Sequence, residues 1–144
     1  MSLARDMLEA SPVESELGID AVAAAIEACL TCAQTCTSCA NSDLAEPDVT
    51  ELAHCAALCT TCADVCLTTM RVLSRPFAAD HRVTYHVLSA CVLTCTSSAE
   101  ECKKHAPHHR HCAVCEQACR ACLLACQTLL QAEAFQQLAK LGGA

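Results

Sequence analysis

The spacing of the cysteines constrains this chain more than any other feature. Sixteen of its 144 residues are cysteine, in four runs. The runs are Cys29, Cys32, Cys36, Cys39, then Cys55, Cys59, Cys62, Cys66, then Cys91, Cys95, Cys102, and last Cys112, Cys115, Cys119, Cys122, Cys126. Within a run the steps alternate between three and four residues. One jump, from Cys95 to Cys102, skips a place, and Ser98 stands there. An α-helix turns about 100° per residue, so this alternation keeps every thiol of a run on one face. Four such helices can point four columns of sulfur at one axis.

Composition supports helices. The chain has no Trp, one Tyr, two Phe, three Gly and four Pro. Bulk must come from Leu, Ala, Val and Cys, a mix that favours helix over sheet. Charged residues make up 17%, below the usual quarter or so. So little charge leaves outer helix faces to be covered by other subunits. The net charge is −7 with no basic stripe, which argues against nucleic acid as a partner. Residues 1–9 have no apolar core and no twin arginine, so no secretory signal is expected there. No uninterrupted apolar run is long enough to suggest a membrane span. The cytoplasm is the expected location, and thiols stay reduced there. A disulfide scaffold is the weaker reading, because such folds place cysteines irregularly in loops.

The expected architecture is all-α: an antiparallel up-down-up-down four-helix bundle with a cysteine-lined core, in one domain over 1–144. Residues 1–18 form an amphipathic lead-in, docked by Leu3, Met7 and Leu8, and the bundle spans 20–141. The first long helix is expected over about 20–42, followed by a turn over 43–46. The second opens at Pro47 and runs to about Ser74, where Arg75-Pro76 breaks it. The third starts after an Asp80 cap and runs to about His105. The fourth opens at Pro107 and runs to about Leu141, stopping at Gly142-Gly143. Its thiol column would be about 21 Å long at 1.5 Å per residue, a tube rather than a single site.

Extending each stripe distinguishes the two ends of such a bundle. One end collects Asp43, Asp48, Glu51, His105, His108 and His111. The other collects Ala21, Ala25, Leu73, Val87, Leu88, Leu129 and Leu130. The polar end is the place for metal to come in, with His108 at the stripe centre and His105 and His111 beside it. His54 and His109 fall off the stripe and read as surface residues. Met70 reads as core filler near the apolar plug. Thr31, Thr35, Thr37, Ser38, Thr60 and Thr61 read as donors to helix carbonyls or as contact residues.

The metal follows from charge and softness. Buried thiols are protonated without metal, and each ligand must give up its proton to bind. Cu(I) is soft and carries the same charge as the proton it replaces, so about one Cu(I) per thiolate leaves the core near neutral. The alternative is a zinc or general metal buffer of the metallothionein kind. Four tetrathiolate Zn(II) sites would bury about eight surplus negative charges, and Lys103, Lys104, Arg110 and Arg120 miss the stripe centres. Iron–sulfur clusters need a compact cage of four cysteines, which sixteen in line overshoot. Core packing alone does not account for sixteen cysteines where Leu would serve. An enzyme is not expected. The one Glu-x-x-His, Glu51 to His54, stands alone on a helix whose inward face is cysteine. Neither a phosphate-binding loop nor a strand-rich context for a redox Cys-x-x-Cys occurs.

These repeated Cys-x-x-x-Cys-x-x-Cys patterns, fullest at Cys55–Cys66 and Cys115–Cys126, and the His-rich start of the last helix resemble the copper storage proteins. The resemblance covers about residues 20–140. It implies a homotetramer of four-helix bundles, each holding many Cu(I) ions on inward cysteines. It also implies histidines near the bundle mouth, matched by position to His105, His108 and His111. The missing leader resembles the cytosolic branch. A store of this kind would exchange metal with a copper chaperone or a cuproenzyme. Ser98 is the departure from the pattern, and it lowers capacity or leaves a gap in the copper chain.

Overall fold

The computed structural model describes residues 2–141. Among them are six α-helices and no strand: α1 (Leu3–Ala10), α2 (Ile19–Ala45), α3 (Val49–Leu73), α4 (His81–His105), α5 (Arg110–Gln131) and α6 (Glu133–Leu141). Local chemistry sets several ends. The Ser2 side chain caps α1 by accepting from the Arg5 N–H, and Asp80 caps α4 by accepting from the Arg82 N–H. Threonines inside the helices back-bond to the carbonyl one turn earlier, as in Thr35 to Thr31 (2.7 Å), Thr37 to Ala33 (2.7 Å) and Thr60 to Ala56 (2.8 Å). That is the role expected for them from sequence.

Helix α2 packs on α3 and α5, and α4 packs on the same two. The diagonal pairs meet through sulfur across the middle, as at Cys29–Cys91 (4.0 Å) and Cys66–Cys122 (3.9 Å). Numbering runs oppositely along facing helices, so Cys29 meets Cys126 while Cys39 meets Cys112. The core is therefore a column of thiols, walled by Ala23, Ala33, Ala56 and Ala63 and closed at one end by larger groups. Small residues at these positions suit close helix approach, and the burial of the few large ones contributes about 1.5–3 kcal/mol each.

Five expectations need correction. The first long helix continues through Ala45, so Asp43 lies in its last turn, not in a turn between helices. The next helix begins at Val49, with Pro47 and Asp48 in the turn before it. The last long helix begins at Arg110, because His109 adopts an extended backbone (φ −134°) and Pro107 sits in a turn. The same helix ends at Gln131, where Ala132 is extended (ψ 127°), and α6 restarts across α4 and α5. The bend drives Phe135 into full burial, stacked on Tyr85 (6.2 Å) and edge-on to His81 (6.4 Å). Of the three lead-in residues expected to dock, Leu8 is buried, whereas Leu3 and Met7 stay exposed. The stop expected at Gly142-Gly143 lies outside the described residues.

Two helices, α2 and α3, are long and apolar enough to cross a membrane, with 18-residue windows of mean hydropathy 1.3. The absence of an unbroken apolar run thus understated them. Much of their apolar weight is inward cysteine and alanine. Outward lie Glu27, Gln34, Asn41 and Asp64, all exposed, and lipid would have to accommodate these.

Candidate metal centre

All sixteen cysteines are buried, and all are free thiols. Their stripes converge because each run keeps a helix's inward face. Neighbouring sulfurs stand 3.5–4.0 Å apart, far beyond the roughly 2.05 Å of a disulfide. Groups of four thiols with all their sulfurs within 4.8 Å of one another recur along the tube. They include Cys39/Cys59/Cys102/Cys115, Cys32/Cys36/Cys62/Cys119, Cys32/Cys66/Cys95/Cys122 and Cys29/Cys91/Cys122/Cys126. Shared members make the donor set continuous along much of the tube, which suits soft metal ions bridged by thiolates.

The thiols are not equivalent toward protons. Cys102 is held low, at about 5, by thiol hydrogen bonds from Cys115, Cys39 and Cys55, against the effect of burial. Cys119 is held at about 6 by those from Cys115, Cys32 and Cys36. The donors respond in the opposite sense: Cys115 and Cys55 are pushed up, first by their bonds to Cys102. Cys112 is pushed up to about 12 by burial and by the charge of Asp43. A metal ion entering this mesh meets some sulfurs ready to ionise and others that hold their protons firmly.

At the polar end the donor set changes. Cys39, Asp43, His111 and Cys112 form a mixed group within the same 4.8 Å. His111 Nδ1 is 3.6 Å from Cys112 Sγ and 3.7 Å from Asp43 Oδ1, and Cys112 donates toward that oxygen at 3.7 Å. Asp43 is fully buried, and its Oδ2 has no hydrogen-bond partner. Burial raises its carboxyl, offset by the Cys55 and Cys112 thiols and by His111. An unpartnered buried carboxylate oxygen beside two thiols and an imidazole is a donor set for a cation. His111 Nε2 is also buried without a hydrogen bond, although Glu46 Oε1 is 3.5 Å away.

The other polar-end residues are placed unevenly. His108 is exposed in the turn before α5, because the helix does not extend back to it. His109, read from the sequence as a surface residue, is instead nearly covered. Its Nε2 is 2.9 Å from Asp48 Oδ2 and its Nδ1 3.2 Å from Glu46 Oε2. The hydrogen bond with Asp48 raises His109 and lowers Asp48. His105 pairs with Glu101 at 2.9 Å, outside the mixed group. Burial opposes ionisation of Glu101, but the bonds from His105 and Lys104 hold it below the usual range. Glu51 and His54 are exposed. At the opposite end Ala25, Leu73, Leu88 and Leu129 are buried, and Phe135 completes the plug. Ser98 lies at full burial in the α4 column, its Oγ 3.4 Å from Cys59 Sγ and 3.5 Å from Cys119 Sγ.

A helical chain with a continuous buried thiol lining and one polar, imidazole-bearing mouth is built to take up soft metal ions in number. The family model for the copper storage proteins matches residues 19–131, and the chain belongs to that family. It is similar to the copper storage protein of Streptomyces lividans loaded with 10 copper equivalents, at 45% identity over 88% of this chain and 97% of that one, with a TM-score of 0.87. A five-copper structure of a cytosolic copper storage protein from the same organism is 49% identical over 78% of this chain and 94% of that one (TM-score 0.78). A histidine-to-alanine variant from that organism is 46% identical over 81% of this chain and 97% of that one (TM-score 0.79). No curated protein matches the chain.

Proposed function

We propose that this protein stores Cu(I) in bulk, with all sixteen cysteines as thiolate ligands in the lumen of an antiparallel up-down-up-down four-helix bundle. The observation that carries this reading is the full burial of sixteen free thiols, at 3.5–4.0 Å between neighbouring sulfurs, in one interior. Ring-wise packing of α2, α3, α4 and α5 supports the bundle, with 1–18 as lead-in and 20–141 as its body in one domain. The role is sequestration and delivery, not catalysis. A zinc buffer is disfavoured by charge: with no cation in the lumen, each tetrathiolate zinc site would bury two surplus negative charges or so.

Copper enters at the polar end. His111 and Asp43 are the first donors it meets inside, with His105, His108 and Asp48 as the outer ring of groups around the mouth. Exposed Leu93 on α4 and Leu124 on α5 support a homotetramer, since such faces gain by being covered. Similarity to a cytosolic Streptomyces protein supports a cytoplasmic location, with a copper chaperone or cuproenzyme as exchange partner. Anaerobic titration of the apo protein against a strong Cu(I) chelator tests the reading. Saturation near one Cu(I) per thiolate is expected. Saturation at or below about four metal ions per chain, the tetrathiolate number, would overturn it.

A further inference from the structure

The group at the mouth differs in kind from the all-thiol groups deeper in the tube. It joins two sulfurs, of Cys39 and Cys112, to a nitrogen of His111 and an oxygen of Asp43. The two sulfurs are 4.0 Å apart. His111 Nδ1 is 3.4 Å from Cys39 Sγ and 3.6 Å from Cys112 Sγ. Asp43 Oδ1 is 3.7 Å from Cys112 Sγ and 3.7 Å from His111 Nδ1. The remaining edge, Cys39 to Asp43, is within 4.8 Å.

A tetrahedral zinc ion binds sulfur at about 2.3 Å and nitrogen or oxygen at about 2.0–2.2 Å. Its edges are therefore about 3.8 Å between sulfurs, about 3.6 Å from sulfur to nitrogen or oxygen, and about 3.4 Å from nitrogen to oxygen. The five edges measured at the mouth lie within about 0.4 Å of those lengths. The surroundings fit as well. A metal-bound histidine donates its other ring N–H to a carboxylate. His111 Nε2 is buried without a hydrogen bond, and Glu46 Oε1 is 3.5 Å away. Asp43 Oδ2 is also buried and unpartnered. Burial of a carboxylate in that state is costly, and a cation beside it offsets the cost.

We propose that Cys39, Asp43, His111 and Cys112 form a Zn(II) site, one per chain, that caps the thiol lumen. Zinc accepts thiolate, imidazole and carboxylate alike, whereas a carboxylate is a hard, poor ligand for Cu(I). Both thiols release their protons to the buffer as zinc binds. With Asp43 as carboxylate, the filled site carries about one surplus negative charge, against about two for a tetrathiolate site. His111 is 24% exposed, so solvent screens that charge in part. Zinc here takes up Cys39, which also belongs to the all-thiol group Cys39/Cys59/Cys102/Cys115. Copper reaching the mouth must displace zinc before it passes inward. That capping effect rests on the Cu(I)-storage reading above, while the zinc site rests on its four donors alone.

Anaerobic titration of the reduced apo protein with Zn(II) against a chromogenic chelator tests the site. One tight Zn(II) per chain is expected. X-ray absorption at the zinc edge should show two sulfur and two nitrogen or oxygen neighbours. D43N and H111A each remove a ligand and should weaken this zinc by about tenfold or more, the loss that follows even when a ligand's outer partner is removed. C126S removes a thiol at the far end of the tube and should leave the tight zinc unchanged. Stopped-flow loading with the Cu(I)–acetonitrile complex then tests the cap. One equivalent of zinc should slow the early phase severalfold in wild type and make little difference in D43N. If D43N does not fold, H111A decides the zinc titration. The lack of a one-to-one zinc step, four sulfur neighbours, or equal weakening in D43N, H111A and C126S would overturn the site. Tight zinc that leaves wild-type copper loading unchanged would overturn the cap. A low wild-type copper capacity in zinc-free buffer would instead refute bulk storage, with the zinc titration still deciding the site.

Discussion

His111 Nδ1 stands 3.4 Å from the Sγ of Cys39, the outermost thiol of the α2 column. An imidazole in that position can hold a metal ion at the mouth and hand it to the first sulfur. H111A should therefore slow the early phase of copper loading, and H108A should hardly change it, because His108 projects into solvent. Final capacity should stay near wild type in both, since neither supplies the tube. Stopped-flow loading at fixed copper checks this. A slow H108A with a fast H111A would reverse the assignment.

The mouth was only partly legible in the sequence, and turn chemistry is the reason. Helical stepping put Asp43 on the α2 stripe correctly, one turn beyond Cys39. The same stepping carried back from Cys112 selected His108, on the premise that Pro107 opens the helix. His109 instead takes the N-cap place with an extended backbone, which ends helical geometry before His108 is reached. Periodicity places residues inside a helix and fails one residue beyond it. The thiol columns lie inside helices, so their inward placement was readable residue by residue. The Ala132 break was not, because neither Gly nor Pro marks it, and Phe135 gains its burial only from the tertiary turn of α6.

Phe135 makes a direct stability prediction. Its ring is fully buried against His81 and Tyr85, and it is the main anchor of α6. F135A should cost about 3–5 kcal/mol by the usual scale for a lost buried ring, read by denaturant unfolding of the apo protein. Copper capacity should be retained, because Phe135 is not a ligand. A loss below about 0.5 kcal/mol, the range of ordinary surface changes, would mean that α6 is not docked as described.

Alkaline pH should weaken the apo fold. Burial and Asp43 raise Cys112 to about 12 in the folded state, from an ordinary thiol value of 9.0. Between those values the unfolded chain has released this proton and the folded chain has not. The stabilisation is therefore complete below the ordinary thiol value and is lost as pH rises through the folded value. The apo melting temperature should fall across this window, and less steeply in C112A. An apo melting temperature that is flat or rising there would contradict the assigned burial.

Apo protein should already be helical, because Ala, Leu and Cys fill the core without metal. Far-ultraviolet circular dichroism of metal-free, reduced protein should show strong helix signal. Copper should then raise the melting temperature by linkage, and a competing chelator should return it to the apo value. A random-coil apo spectrum would mean that metal, not packing, forms the bundle.

The most direct measurement is anomalous diffraction at the copper edge from crystals loaded with Cu(I) under anaerobic conditions. A line of peaks is expected inside the lumen, each beside cysteine Sγ atoms from at least two helices, with further copper near His111 and Asp43. Copper confined to surface histidines, with the thiol interior empty, would contradict it.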